Sequence, residues 1–186
     1  MSRRGGTLIQ RFRVPLGFLF AAVFFFLARP QVLKFITGGG VALAGILIRA
    51  WASGHIRKNE ELATGGPYAY TRNPLYLGSF VLGVGFTLAA GRWWLALIFI
   101  ALFLGIYLPV MRVEAKELTA IFGEKYLEYA QRVPLFFPRP SAEKKTGEKF
   151  DFQLYLRYRE YRAAVGWFFA LAVLAVKLAY NKGWFL

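Results

Sequence analysis

The chain contains no cysteine and only one histidine, His55. The first absence rules out a disulfide framework, a thiolate nucleophile and a cysteine metal site, and leaves the redox compartment unreadable; the second rules out a histidine cluster. No metal is therefore expected. Acidic residues are also scarce, ten against 24 Lys and Arg, for a net charge of +14. Such an excess invites nucleic acid, but the basic residues border apolar blocks and no groove-reading motif accompanies them, so nucleic acid is not the expected partner. Membrane lipids with anionic headgroups fit the same charges. Internal repeats and a separate soluble domain are missing too, and a single membrane domain over residues 1–186 is expected.

What is abundant is apolar: hydrophobic residues make up 57% and aromatic residues 18% of the chain, gathered in blocks and not diluted along a charged helical stripe. A helix crossing the hydrocarbon layer needs about 20 mostly apolar residues. Five blocks approach that length: Val14 to Ala28, Val32 to Trp51, Leu75 to Ala90, Trp93 to Val110 and Ala163 to Tyr180. The first and third are short and must borrow flanking residues or sit in thinner bilayer. The fold class expected is all-α, a polytopic membrane helical bundle with about five transmembrane helices.

The first block ends in Leu27-Ala28-Arg29-Pro30, without the small-x-small pattern of a cleavage site, and is expected to stay as an anchor. Lys and Arg mark the cytoplasmic side. Arg3, Arg4, Arg11 and Arg13 thus put the N-terminus inside, with Ala52–Pro74 and Arg112–Arg162, while the Gly91-Arg92 turn falls outside. That turn is short enough to make the third and fourth spans an antiparallel hairpin. Beyond the fourth span, Glu114 to Phe122 reads as a helix continuing into the cytoplasm and stopping at Gly123, which accepts positive φ. A second short helix is expected over Glu124–Arg132. Pro138 to Lys149 is rich in Pro, Lys, Glu and Gly, so residues 139–150 read as a solvated linker. Residues 152–162 interleave apolar side chains with Arg and suit a helix in the headgroup layer, before a last span over 163–180.

Two segments concentrate unusual chemistry. Gly65-Gly66-Pro67-Tyr68-Ala69-Tyr70-Thr71-Arg72-Asn73-Pro74-Leu75-Tyr76-Leu77-Gly78 combines a rigid, turned backbone with a helix start near Pro74, whose N–H groups suit an anionic group, and with tyrosine faces for an adenine or a sulfonium. The plainer reading is membrane re-entry, with a snorkelling arginine and tyrosines in an aromatic belt. The second is Arg112-Val113-Glu114-Ala115-Lys116-Glu117-Leu118, followed by Phe122-Gly123, Tyr126 and Tyr129. There Glu114, Glu117, Leu118 and Ile121 recur on one helical face, which sets carboxylates beside an apolar stripe; an ordinary charged helix leaving the membrane looks the same. Composition leaves both choices open.

Taken together, Gly66-Pro67-Tyr68, Arg72-Asn73-Pro74-Leu75-Tyr76-Leu77-Gly78, Glu114, Leu118, Phe122-Gly123, Tyr126, Tyr129 and Val133-Pro134 resemble the isoprenylcysteine carboxyl methyltransferase and phospholipid methyltransferase superfamily in order and spacing. That resemblance, from the second span to Pro138, implies an integral membrane methyltransferase. It would carry the methyl of S-adenosyl-L-methionine from a cytosolic pocket to a lipophilic acceptor, either an isoprenylated-cysteine carboxylate or a phospholipid amine. It also implies cofactor contacts at Gly66, Pro67, Tyr68, Arg72, Asn73, Pro74, Tyr76, Gly78, Tyr126 and Tyr129, and a catalytic pair at Arg112 and Glu114.

Asn73 stands where the family has histidine, so that position donates a hydrogen bond but takes up no proton. Ala115 replaces a second glutamate, leaving Glu117 to contribute from the next turn. Residues two apart on a regular helix point to nearly opposite sides, so Arg112 and Glu114 share a ligand only if the helix bends, with Pro109 the expected cause. His55 and Asn59, just past the second span, and Arg49 near its inner end are the candidate substrate contacts; a solvated strip and a snorkelling arginine are the plainer readings. The rival functions are a sterol-type membrane reductase using NADPH and a non-catalytic membrane scaffold or transporter.

Overall fold

A computed structural model describes residues 8–57, 61–140 and 149–182. Those residues form seven α-helices and one short 3-10 turn, with no strand among them. In chain order they are α1 (Leu8–Leu27), α2 (Val32–Ser53), the 3-10 turn (Gly66–Ala69), α3 (Pro74–Ala89), α4 (Trp93–Phe122), α5 (Glu124–Arg132), α6 (Phe152–Arg157) and α7 (Tyr161–Asn181). Three of them, α2, α4 and α7, are long and apolar enough to cross a membrane. At 16 residues α3 extends only about 24 Å, short of a ~30 Å hydrocarbon layer. Side chains such as Phe26, Leu33, Trp93, Phe168 and Phe169 lie mostly exposed on the helix surfaces, as apolar groups do when lipid covers them.

The bundle is built around an unusually close approach of α2 to α3. Gly38 and Gly45 on α2 lie against the backbones of Gly85, Ala89, Gly78 and Leu82 on α3, with no room for a Cβ at either glycine. Small residues let two backbones meet where apolar side chains gain nothing by leaving lipid, and the gain is van der Waals contact between the helices. Next to this seam an aromatic cluster joins α3 to α4: Phe80, Phe99, Phe103 and Tyr107 pack in series, and Phe136 closes the row edge-on to Phe80 at 5.6 Å between centroids.

The connections settle which ends are neighbours. At one end, Gly91 takes φ 76° in the α3–α4 turn, and the Arg29 amide donates to the Ala90 carbonyl at 2.8 Å, so the α1–α2 and α3–α4 turns lie side by side. The opposite end carries the two polar segments. There α4 runs unbroken through Pro109 to Phe122, and Gly123, at φ 57°, ends it with its amide on the Thr119 carbonyl. The helix expected over 152–162 is divided in two: α6 stops at Arg157, and Arg159 takes the left-handed φ of 55° before α7 begins. Asp151 caps α6 by accepting from the Gln153 and Leu154 amides. Most of the linker, 141–148, lies outside the described residues.

The seam makes a direct prediction. Gly45→Val forces a branched side chain onto the α3 backbone and should destabilise the protein by about 1–3 kcal/mol, read as a lower melting temperature in detergent. Gly40→Ala, on the same helix with open space around it, should leave melting unchanged or slightly raised.

Candidate functional site

The first polar segment is held in place chiefly by the chain beyond α5. The Arg72 amide donates to the Pro134 carbonyl at 2.9 Å, the Thr71 hydroxyl to the Phe136 carbonyl at 2.8 Å, and the Asn73 side-chain amide to the Leu135 carbonyl at 2.9 Å. From α5, the buried Tyr129 donates its hydroxyl to the Tyr68 carbonyl at 2.7 Å. A loop carrying unpaired backbone groups is thus fixed by partners at sequence distances of about sixty residues.

The fixed loop forms one wall of a cavity of about 640 Å³. Tyr68, Arg72, Asn73, Pro74 and Tyr76 line it from the loop and the first turn of α3. Glu114, Glu117, Leu118 and Ile121 line it from one face of α4, and Tyr126 and Tyr129 from α5. The two segments that stood apart in the sequence therefore face each other. The Tyr76 hydroxyl donates to Glu114 Oε1 at 2.7 Å, joining α3 to α4 across the space. Arg72 reaches the Tyr126 hydroxyl with one nitrogen at 3.3 Å and stands 5.9 Å from that ring's centroid.

Other expected residues lie elsewhere. Arg112 is exposed and does not line the cavity, because α4 continues as a helix through Pro109 and keeps Arg112 and Glu114 on different faces. Gly66, Pro67 and Gly78 stand behind the wall: Gly66 turns the backbone at φ 56° against the His55 ring, Pro67 is buried, and Gly78 packs on Arg49 in the α2–α3 seam. His55 lines a smaller hollow of about 200 Å³ with Lys149 and Asp151, which adjoins the cavity through Arg57, Glu61, Leu62 and Ala63, and its Nδ1 lies 2.8 Å from the Trp51 carbonyl oxygen. Asn59 is outside the described residues.

Arg49 does line the cavity, but with a partner that sequence reasoning missed. Glu160, between α6 and α7, takes the Arg49 fork with both carboxylate oxygens, at 2.7 and 2.9 Å, while the remaining nitrogen of Arg49 reaches Ser79 and the Leu75 carbonyl. The available signal was slight: Glu160 is the lone acid in Arg157-Tyr158-Arg159-Glu160-Tyr161-Arg162.

Two buried polar atoms on cavity-lining side chains have no hydrogen-bond partner among the described residues, the Tyr68 hydroxyl and Arg72 Nε. Burial pushes the Tyr68 pKa far up, and Tyr129, Glu160, Tyr158 and Glu114 push it the same way. Two of the cavity carboxylates, Glu114 from α4 and Glu160 from the α6–α7 junction, thus bear on one phenol.

An all-helical membrane protein with a polar cavity at one end of the bundle is what the fold and site define. Residues 33–125, half of the chain, match the phospholipid methyltransferase family, and the chain belongs to it. It is 42% identical over 108 residues to the cobalt-zinc-cadmium resistance protein CzcN of Cupriavidus metallidurans, covering 55% of this chain and 47% of that one. To the nickel-cobalt-cadmium resistance protein NccN of Alcaligenes xylosoxydans it is 40% identical over 104 residues, 55% of this chain and 48% of that one. The protein-S-isoprenylcysteine O-methyltransferase of Schizosaccharomyces pombe is 31% identical over 81 residues, 44% of this chain and 34% of that one. The chain thus spans about half the length, or less, of these relatives. No solved structure matches it.

The hydrogen bonds rank the tyrosines. Tyr129→Phe should cost about 1–2 kcal/mol of stability by stranding a buried carbonyl, whereas Tyr68→Phe should cost almost nothing, since its hydroxyl has no partner among the described residues. The Tyr68 phenol stays neutral in the folded chain where an unfolded tyrosine ionises, at about pH 10. Folding stability is therefore unaffected by this group below that pH and falls as pH rises beyond it, and Tyr68→Phe should flatten the alkaline fall in melting temperature.

Proposed function

We propose that this chain is an S-adenosylmethionine-dependent methyltransferase acting on a lipid-embedded acceptor, with the cavity at the inner membrane surface and α1, α2, α3, α4 and α7 crossing the bilayer. The observation that carries the reading is the Tyr76–Glu114 hydrogen bond, which closes the two family segments around one cavity of sufficient size for the cofactor. The residues present fit that group. Its net positive charge suits Glu114 and Glu117, and the unpartnered Tyr68 hydroxyl and Arg72 Nε are the kind of buried polar atoms a bound polar molecule completes.

When bound, S-adenosylmethionine supplies an electrophilic methyl, taken by a lone pair of the acceptor as the carbon–sulfur bond breaks with its electrons left on sulfur. The protein's part is then alignment and exclusion of water more than proton chemistry. Tyr68, Arg72, Pro74 and Tyr76 frame the pocket, and Tyr126 and Tyr129 close it from α5. The Asn73 amide donates to the Leu135 carbonyl, so this residue chiefly fixes the loop. Glu114, oriented by Tyr76, faces the cavity; for an amine acceptor it takes the departing proton, and for a carboxylate it has none to take. Arg112, exposed on α4, is given no catalytic role.

The acceptor's apolar chain stays in lipid and enters sideways, since each methylene gains about 0.8 kcal/mol there. The metals in two relatives' names enter no step; among the described residues, no three His, Cys, Asp or Glu side chains group to hold an ion.

Calorimetry on protein in lipid nanodiscs separates the functions. Binding of S-adenosylhomocysteine is expected; selective binding of NADPH would make the chain a reductase instead, and binding of neither would leave a non-catalytic membrane protein. With labelled methyl donor and membrane extract, Arg72→Ala should abolish labelling, and Glu114→Gln should reduce it by about a hundredfold or more when the acceptor is an amine, both in protein that still folds. Full turnover in Arg72→Ala contradicts the assignment.

A further inference from the structure

We infer that the end of the bundle opposite the cavity binds the phosphate of an anionic phospholipid, held by Arg29, Lys34, Arg92 and Lys177. The site is separate from the methyl-transfer cavity, and the inference stands without that reading.

Four cations gather at this end from different parts of the chain. The α1–α2 and α3–α4 turns lie side by side there, with the Arg29 amide on the Ala90 carbonyl at 2.8 Å. Lys34, in the first turn of α2, brings its ammonium to the Gly91 carbonyl at 3.5 Å, next to Arg92. From α7, Lys177 crosses to the end of α1 and donates to the Phe25 and Phe26 carbonyls at 2.6 and 2.7 Å, close enough to Arg29 for the two charges to repel. No described acid answers them. All ten Asp and Glu residues of the chain fall within positions 60–61, 114–128 and 143–160, and those described stand at the cavity end.

The plainer reading is that these side chains merely finish helix ends. Lys177 and Lys34 do meet carbonyls at the ends of α1 and α3, which is favourable in its own right. A helix end carries only about half a charge, however, and the C-terminal ends of α1, α3 and α7 are opposed here by the N-terminal ends of α2 and α4. Four full positive charges therefore remain largely uncompensated. Capping also leaves both arginines unexplained. The Arg29 guanidinium is exposed and makes no hydrogen bond or ion pair among the described residues. Arg92 Nε is buried without a partner among them, a cost that an anion offsets by drawing the guanidinium into two-point contact.

The surroundings select the carrier of the phosphate. Phe26, Leu33, Ile36, Trp93 and Tyr180, each within three residues of one of the cations, are mostly exposed. Acyl chains cover these apolar side chains while the head lies among the charges, as in basic pockets between helix ends at a membrane surface. A soluble phosphate gains only the polar half of such a site. A zwitterionic head brings its own ammonium into the cluster and is repelled. Because Lys177 belongs to α7 and the other three cations to the two turns and the start of α2, one bound phosphate ties α7 to the rest of the bundle.

Native mass spectrometry of the full chain, released from mixed detergent micelles, reads bound lipid directly; the probes are dioleoyl-phosphatidylglycerol, dioleoyl-phosphatidylcholine and inorganic phosphate. One phosphatidylglycerol should bind at least about tenfold tighter than phosphatidylcholine, and inorganic phosphate at the same concentration should not displace it. Arg92→Gln should weaken phosphatidylglycerol by about tenfold and leave phosphatidylcholine unchanged, while Lys125→Gln, exposed on α5 at the cavity end, should change neither. Lys34→Gln, at an exposed side chain, gives the same reading if Arg92→Gln fails to fold. Equal retention of the two lipids, or undiminished phosphatidylglycerol binding in a folded variant, overturns the inference and leaves the cations as helix-end caps. Equal weakening by Lys125→Gln also overturns it, because the attraction is then diffuse. Displacement by inorganic phosphate overturns the lipid and makes the ligand a soluble phosphate.

Discussion

The contact between α2 and α3 sets everything downstream of it. Two helices in lipid gain nothing by hiding apolar side chains from each other, so their association depends on how closely their backbones approach. Gly38 and Gly45 permit that approach, and Gly78, one helix away, lets the Arg49 stem cross the seam. Because of it, an arginine near the end of α2 reaches Ser79 and Leu75 on α3, and the cavity has a cationic corner. With a larger residue in the seam, Arg49 would point along the helix surface towards the headgroups.

On the other side, the cavity depends on hydrogen bonds between irregular segments. The loop over residues 65–73 has little regular structure of its own, and its backbone and side-chain groups find partners in Pro134, Leu135 and Phe136 and in the Tyr129 hydroxyl. These partners lie beyond residue 125, where the family match ends. The matched region thus carries the α2–α4 frame, while the segments after it complete the walls. Glu160, further along still, adds a carboxylate that only this chain's C-terminal part supplies.

Two relatives named for metal resistance and one named as a protein-S-isoprenylcysteine O-methyltransferase each match about half of this chain. A shared frame does not by itself fix the ligand, because function depends on the site built on the frame. The frame fixes a cavity with Glu114 tied to Tyr76, and what enters it depends on residues outside the frame.

Much of the architecture was legible in the residues. Apolar block length announced α2, α4 and α7, Gly123 announced the end of α4, and the 3.6-residue spacing put Glu114, Glu117, Leu118 and Ile121 on one face, since these depend on local geometry alone. The same geometry warned that Arg112 and Glu114 share a face only if the helix bends, and with α4 continuing as a helix through Pro109 it is Glu114 that lines the cavity. Sequence did not reveal that Gly78 packs against Arg49 in the α2–α3 seam, that His55 lines a smaller hollow beside the cavity, or that Glu160 meets Arg49. Each of those depends on which surfaces meet between segments far apart in the chain, and a one-dimensional pattern records periodicity and propensity but not the partner across the gap.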